Sequence, residues 1–263
     1  MKFILVIILS FIKILMPQSK AVAQVFLFQN QGKSQIILKV NLEKEWHLYW
    51  CNSGDTGIPT EINWELPEGI SISNSLWPVP KAFESEGLVS YGYENEVIFL
   101  FDLITNDDKN LSKKSITCKI NSLICKEVCI PFDATIVFNL SEIRTIKNLS
   151  EILEHNELNF PIKNSSIKLN ASLQSDKILL EFINDNLSEN FNKISFFPYE
   201  NGVLKNVKYN NFVVKDDKYL IDLFFDQFKT HIPQKLDGLL ILTLEENNIV
   251  TKKAYEISLK LFP

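Results

Sequence analysis

The chain has 263 residues, 46% of them hydrophobic and 22% charged, with a formal net charge of −5. That length supports a real core in one large or two small domains. The negative balance and the scattered lysines, with no basic stripe, exclude a nucleic-acid footprint. Phe is abundant at 19 while Gly (8) and Met (2) are scarce, a balance that favours β structure.

The N-terminus carries Lys2, an apolar run over residues 3–12, and then Ala21-Val22-Ala23 before Gln24. This order of charged, apolar and small residues predicts a secretory signal peptide over residues 1–23, cleaved after Ala23. Lys13 interrupts the run, which is shorter than the ~20 apolar residues of a membrane span. The mature protein is expected to be exported and soluble, in a compartment that permits disulfides.

In the first half, alternation bounded by Gly, Pro, Asn and Asp predicts strands at residues 25–28, 35–42, 47–50, 97–103, 116–124 and 134–140. Residues 51–95 read as a long loop-rich region, the kind of segment that carries function on a β scaffold. The pattern weakens after residue 140. "NLSEILEHNEL" reads as a short helix or irregular linker, with Ser150 as its cap. The expected organisation is a first domain over 24–145, a linker over 146–163 and a second domain over 164–263. In the second half Ile167, Leu169, Ala171 and Leu173 share one strand face, as do Tyr255, Ile257, Leu259 and Leu261. With further strands at 178–183, 194–197, 212–214, 219–225 and 239–244, the spacing predicts a second β-sandwich. The fold class expected is all-β, two sandwiches in tandem.

All four cysteines, Cys51, Cys118, Cys125 and Cys129, lie in the first half. On one straight strand the Cα atoms of Cys125 and Cys129 would be ~13 Å apart, too far for a disulfide. Bonding therefore requires the chain to fold back inside "CKEVC", and Pro131 favours a bent turn over a helix there. So small a loop constrains the unfolded chain little, which makes it a poor staple. Short, bent and accessible bridges tend to be the labile ones. Spacing alone leaves redox exchange, a structural bridge and metal binding open. The metal reading lacks partners: the three histidines, 47, 155 and 231, are scattered, with no second CxxC, although Cu(I) accepts thiolates. Cys51 and Cys118 either form a second disulfide or rest as buried thiols. No phosphate loop or GxSxG is present, and no cofactor or metal is indicated.

The stretches "WHLYWCNSGDTGIPTEINWELPEGI" (46–70), "LWPVPKAFESEGLVSYGYENEVIF" (76–99), "INSLICKEVCIPFDATIVFNL" (120–140) and "ISFFPYENGVLKN" (194–206) occur in order. Together they resemble the periplasmic N-terminal region of DsbD-type thiol–disulfide interchange proteins, most closely the ScsB-like branch. The resemblance implies immunoglobulin-like sandwiches and a redox pair at Cys125 and Cys129. It also implies an aromatic cap over that pair from Tyr91 and Tyr93, with Phe83 as a further member. Cys51 falls where relatives more often carry a basic residue, which leaves Cys51 and Cys118 outside the family chemistry. Family members continue into a membrane domain and a thioredoxin-like domain, which this sequence lacks. The implied partners are therefore a separate membrane electron donor of the DsbD/CcdA kind and oxidised periplasmic thioredoxin-fold proteins. Two other readings remain: a non-enzymatic adaptor with a structural bridge, and Cu(I) handling, since the ScsB-like branch is associated with copper tolerance.

Overall fold

The computed structural model describes residues 20–30, 32–105, 113–152, 159–163, 167–183, 191–247 and 249–261. The first unit runs β1 (Ala21–Asn30), β2 (Lys33–Leu42), β3 (His47–Gly54), β4 (Glu61–Glu65), β5 (Ile70–Leu76) and β6 (Lys81–Ser85). It continues with β7 (Leu88–Glu94), β8 (Glu96–Thr105), β9 (Ile116–Cys125), β10 (Cys129–Phe138) and β11 (Thr145–Ile146). The second unit comprises β12 (Lys168–Leu173), β13 (Lys177–Ile183), β14 (Lys193–Pro198) and β15 (Phe212–Lys215). Its last strands are β16 (Lys218–Phe224), β17 (Lys235–Glu246) and β18 (Ile249–Lys260).

Each unit is an immunoglobulin-like β-sandwich. In the first, a sheet ordered β11-β1-β2-β8-β5 packs on one ordered β10-β9-β3-β7-β6, with β4 pairing the free stretch of β9. In the second, β12-β13-β16-β15 faces β14-β17-β18. The core of the first unit follows from period-two alternation. Ile36, Leu38 and Val40 of β2 and Phe99 and Phe101 of β8 point inward against Leu48 and Trp50 of β3, Tyr91 and Tyr93 of β7, and Ile120 and Ile124 of β9.

Two sequence expectations are corrected here. Residues 51–95 are not mainly loop; they hold β4, β5, β6 and β7. Of these, β4, β5 and β6 are short and half-exposed and lack a strong apolar run, as in the Glu61–Glu65 pattern where Ile62 and Trp64 alone turn inward, whereas β7 is buried from Val89 to Tyr93. The turn after Asn148 is a 3-10 turn, Leu149–Glu151, capped by Asn148 rather than Ser150; the Asn148 side chain accepts from Ser150 N and Glu151 completes the capping box. β1 opens at Ala21, which is buried and pairs with Leu42.

The segment after β10 is folded down, not slack. Ile146 and Ile152 cover Ile37, Ile98 and Leu100 on the outer face of the first sheet. Lys39, on that same outer face and 3% exposed, donates to Ile152 O at 2.5 Å and pairs with Glu96 at 3.0 Å. Removing one partner of a buried ion pair strands the other charge. Lys39→Met is therefore expected to cost roughly 3–5 kcal/mol in urea unfolding; an unchanged midpoint would show that this lysine does not hold the segment.

The two sandwiches share a core. In β14, in the middle of β17 and at Ala254–Tyr255 of β18 both faces are buried. Ile194, Phe196, Leu240, Leu242 and Tyr255 turn into the second unit, while Phe197, Leu239, Ile241 and Ala254 join the core of the first. Two-sided burial is why "LLIL" (239–242) is apolar without alternation.

Candidate thiol–disulfide site

β9 and β10 form a hairpin whose tip is Lys126-Glu127-Val128, closed by Lys126 N donating to Val128 O at 3.2 Å. Cys125 and Cys129 are directly opposite in register and are joined by a disulfide, with their Cα atoms 4.1 Å apart. The required fold-back is thus a turn between strands. The two sulfur positions differ in access: Cys125 is 3% exposed, whereas Cys129 and the tip residues lie exposed. Lys126 does not stand free beside the sulfurs; its ammonium is held by Glu45 at 2.5 Å, which lowers the Glu45 carboxyl and raises the Lys126 ammonium relative to their usual ranges.

β3 runs beside β9 at this point, with His47 opposite Cys125 and Leu48 opposite Ile124. Strand alternation therefore places His47, Tyr49 and Cys125 on the outer face, and Leu48 and Ile124 in the core. The Tyr49 hydroxyl donates to Cys125 Sγ at 3.2 Å and lies 3.8 Å from Cys129 Sγ. Its third neighbour is Thr56 Oγ1 at 3.4 Å. Tyr49 is only 2% exposed although it faces outward, because the loop over residues 52–60 folds back across it. Gly57 makes that cover fit. Its φ is +79°, and a Cβ there would sit 2.1 Å from Cζ of the Tyr49 ring. Thr60 fastens the return of the loop: its hydroxyl donates to Tyr49 O at 2.5 Å and lies 2.7 Å from Ser122 Oγ on β9.

The ring row continues outward. His47 meets Tyr49 edge-on at 5.1 Å and stacks on Phe83 at 4.8 Å. Burial lowers the His47 imidazole below its ordinary range, and its Nε2 is buried with no hydrogen bond. Phe83 thus joins the face that carries the bridge, through His47. Tyr91 and Tyr93 do not. Tyr93 is opposite Leu48 in register and turns into the core, where its hydroxyl donates to Pro78 O at 2.8 Å. Tyr91 packs on Phe197 of the second unit at 4.3 Å. Both lie one strand position out of phase with the outer face, so they cannot lid the sulfurs. The side chain over the bridge is Tyr49, which the sequence reading passed over.

Cys51 and Cys118 are free cysteines, and no second bridge joins them. Cys118 sits opposite Trp64 in register and points into the core. Burial pushes both thiols up to about 12. Since the thiolate is the reactive species, mildly alkaline iodoacetamide is expected to label neither in the folded protein. Mapping of label by mass checks this, and rapid labelling of either cysteine would contradict it. Among the described residues no group of three His, Cys, Asp or Glu side chains could hold a metal ion. His155 lies outside the described residues, and His231 pairs with Glu200 at 3.1 Å on the surface.

Residues 13–141 match the family described as thiol:disulfide interchange protein DsbD, N-terminal. The chain carries an N-terminal domain of the DsbD type. The bridged hairpin lies inside the matched region. The crystal structure of the N-terminal periplasmic domain of ScsB from Proteus mirabilis superposes with a TM-score of 0.64 at 19% identity, covering 93% of this chain and 96% of that one. The shared fold therefore extends over both sandwiches, beyond the DsbD-type domain itself. The major pilin subunit of Bacillus cereus aligns over 91% of this chain and 66% of its own, at 11% identity and a TM-score of 0.26, too low to bear on the fold. No curated protein matches the chain. Among the described residues no helix is long and apolar enough to cross a membrane.

Proposed function

We propose that the protein is a periplasmic electron relay that works through the Cys125–Cys129 pair. The observation that carries this reading is the bridged hairpin in a DsbD-type domain, with one sulfur accessible, one buried, and the Tyr49 hydroxyl in reach of both. In the oxidised protein a donor thiolate attacks Cys129 Sγ, the accessible sulfur. The S–S bond breaks, its electron pair leaves on Cys125, and a mixed disulfide links the donor to Cys129. Burial disfavours a thiolate at Cys125, and the hydrogen bond from Tyr49 offsets this, since a donor to the charged form favours it. The donor's second thiolate then attacks its own sulfur in the mixed disulfide, so that the donor leaves oxidised and Cys129 is freed.

The second half runs the same steps outward. Cys129 thiolate attacks an acceptor disulfide and forms a new mixed disulfide. Cys125 attacks Cys129 Sγ, re-forms the bridge and releases the reduced acceptor; two electrons have passed. The donor class is a membrane protein of the DsbD/CcdA kind, and the acceptor class is oxidised periplasmic thioredoxin-fold proteins. The relay is tested by reducing the full protein, removing the reductant and adding an oxidised thioredoxin-fold protein. Transfer of one disulfide equivalent per chain is expected; an acceptor that stays oxidised while Cys125 and Cys129 stay reduced would contradict the relay.

A further inference from the structure

Two stretches outside the reacting pair meet at the seam between the sandwiches. From the first unit come Asn52 and Asp55, at the start of the loop that covers Tyr49. From the second comes the segment 198–207. Asn52 Nδ2 donates to Pro198 O at 2.7 Å, while its Oδ1 accepts from Gly54 N at 2.9 Å. Asp55 divides its carboxylate between the units: Oδ1 accepts from Asn206 Nδ2 at 2.9 Å, and Oδ2 accepts from Val89 N at 2.7 Å. Beside them the Tyr91 hydroxyl donates to Val207 O at 3.1 Å and accepts from Val207 N at 3.0 Å. Asn52, Tyr91 and Asn206 are all buried, so water does not compete readily for these bonds. Immediately after Asp55, Thr56 and Gly57 lie against Tyr49, whose hydroxyl reaches both sulfurs. A continuous set of contacts therefore leads from Asn206 in the second unit, through Asp55 and Gly57, to Tyr49 and the bridge.

We propose that the second sandwich is a positioning element for the bridge: through Asn206 and Asp55 it holds the 52–60 loop down on Tyr49 and so sets how fast Cys125–Cys129 opens to an incoming thiol. The proposal deepens the reading of that bridge as an exchanging pair. Asn206 and Asp55 touch no sulfur; they act through the loop. Covered loops open locally without global unfolding, and the open population rises when a buried bond that closes them is lost.

The test is the rate at which dithiothreitol reduces the bridge in the full protein, quenched by alkylation and compared among three proteins. Asn206→Ala is expected to reduce about tenfold faster than wild type, the effect of losing one buried hydrogen bond of this kind. The exchange double variant, Asp55→Asn with Asn206→Asp, keeps a carboxamide facing a carboxylate and is expected to return to the wild-type rate. The unfolding midpoint is measured alongside, because a merely structural role would lower the midpoint without changing the rate well below it. A wild-type rate in Asn206→Ala, or a double variant that stays as fast as Asn206→Ala, overturns the proposal. Dithiothreitol needs no natural partner, so the two readings fail separately. A bridge that never passes electrons to an acceptor sinks the relay and leaves the Asn206 effect standing. Intact transfer with no Asn206 effect does the reverse.

Discussion

Cys129→Ser is expected to drop exchange to background, whereas Cys125→Ser should stall as a mixed disulfide with whatever thiol protein it meets. The asymmetry follows from access. Cys129 is exposed at the hairpin tip, while Cys125 is 3% exposed beneath Tyr49. Without Cys129, no sulfur at the site is presented to a partner. Without Cys125, the exposed thiolate still attacks, but nothing resolves the product: Cys51 and Cys118 are the remaining cysteines, and burial pushes both up to about 12. Stability should not separate the two variants. Each loses the same small closed loop, worth about 2 kcal/mol in the chain-entropy description. Non-reducing gels of each variant after incubation with an oxidised thioredoxin-fold protein read the outcome directly. Equal adducts on both variants would show that either sulfur attacks and that burial of Cys125 does not choose.

The second large effect is expected at Gly57. An alanine there adds a Cβ 2.1 Å from the Tyr49 ring at a φ of +79°. The left-handed backbone and the overpacking each penalise it, together by roughly 2–4 kcal/mol. Part of that penalty belongs to the ring. On a Tyr49→Ala background the added methyl has space, so Gly57→Ala should cost only its backbone share, and the two substitutions should be non-additive by roughly 1–3 kcal/mol. Urea unfolding of the four proteins in the cycle measures this. Additive costs would mean that the loop and the ring do not press on one another. That would remove the link by which the loop governs the bridge. Bridge reduction in the single Gly57→Ala variant should also quicken, since either the ring or the loop must leave its place.

Much of this site is legible in the sequence, and the illegible part has a definite cause. Cys125 and Cys129 could be placed at a fold-back because strand rise alone forbids a bridge along a straight segment, and the hairpin of β9 and β10 satisfies that demand. The strong alternations at 167–173 and 255–261 likewise mark real core faces, as Ala171, Tyr255 and Ile257 show. What sequence does not carry is strand adjacency. Tyr91 and Tyr93 flank a glycine near the quoted motif, yet whether they face the sulfurs depends on the pairing of Leu48 with Tyr93 and with Ile124, which puts them on the core side. Tyr49 reaches the bridge only because His47 falls opposite Cys125 across two strands far apart in sequence. β4, β5 and β6 were hidden for another reason: with one face largely in solvent and five to seven residues each, they show little more apolar signal than a loop. The joined cores left a trace that could have been used. An unbroken "LLIL" within a strand signals burial on both sides, and the second side is the first sandwich.

Whether the Cys125–Cys129 bridge exchanges or staples is read from its reduction potential. The full protein would be equilibrated in thiol–disulfide buffers of graded potential, quenched by alkylation, and each cysteine mapped by mass. The relay predicts that Cys125 and Cys129 gain label together at a midpoint of roughly −120 to −270 mV, the span of known exchange proteins, with Cys51 and Cys118 outside the transition. A pair that stays oxidised below about −300 mV would be a structural bridge, and the relay would be wrong.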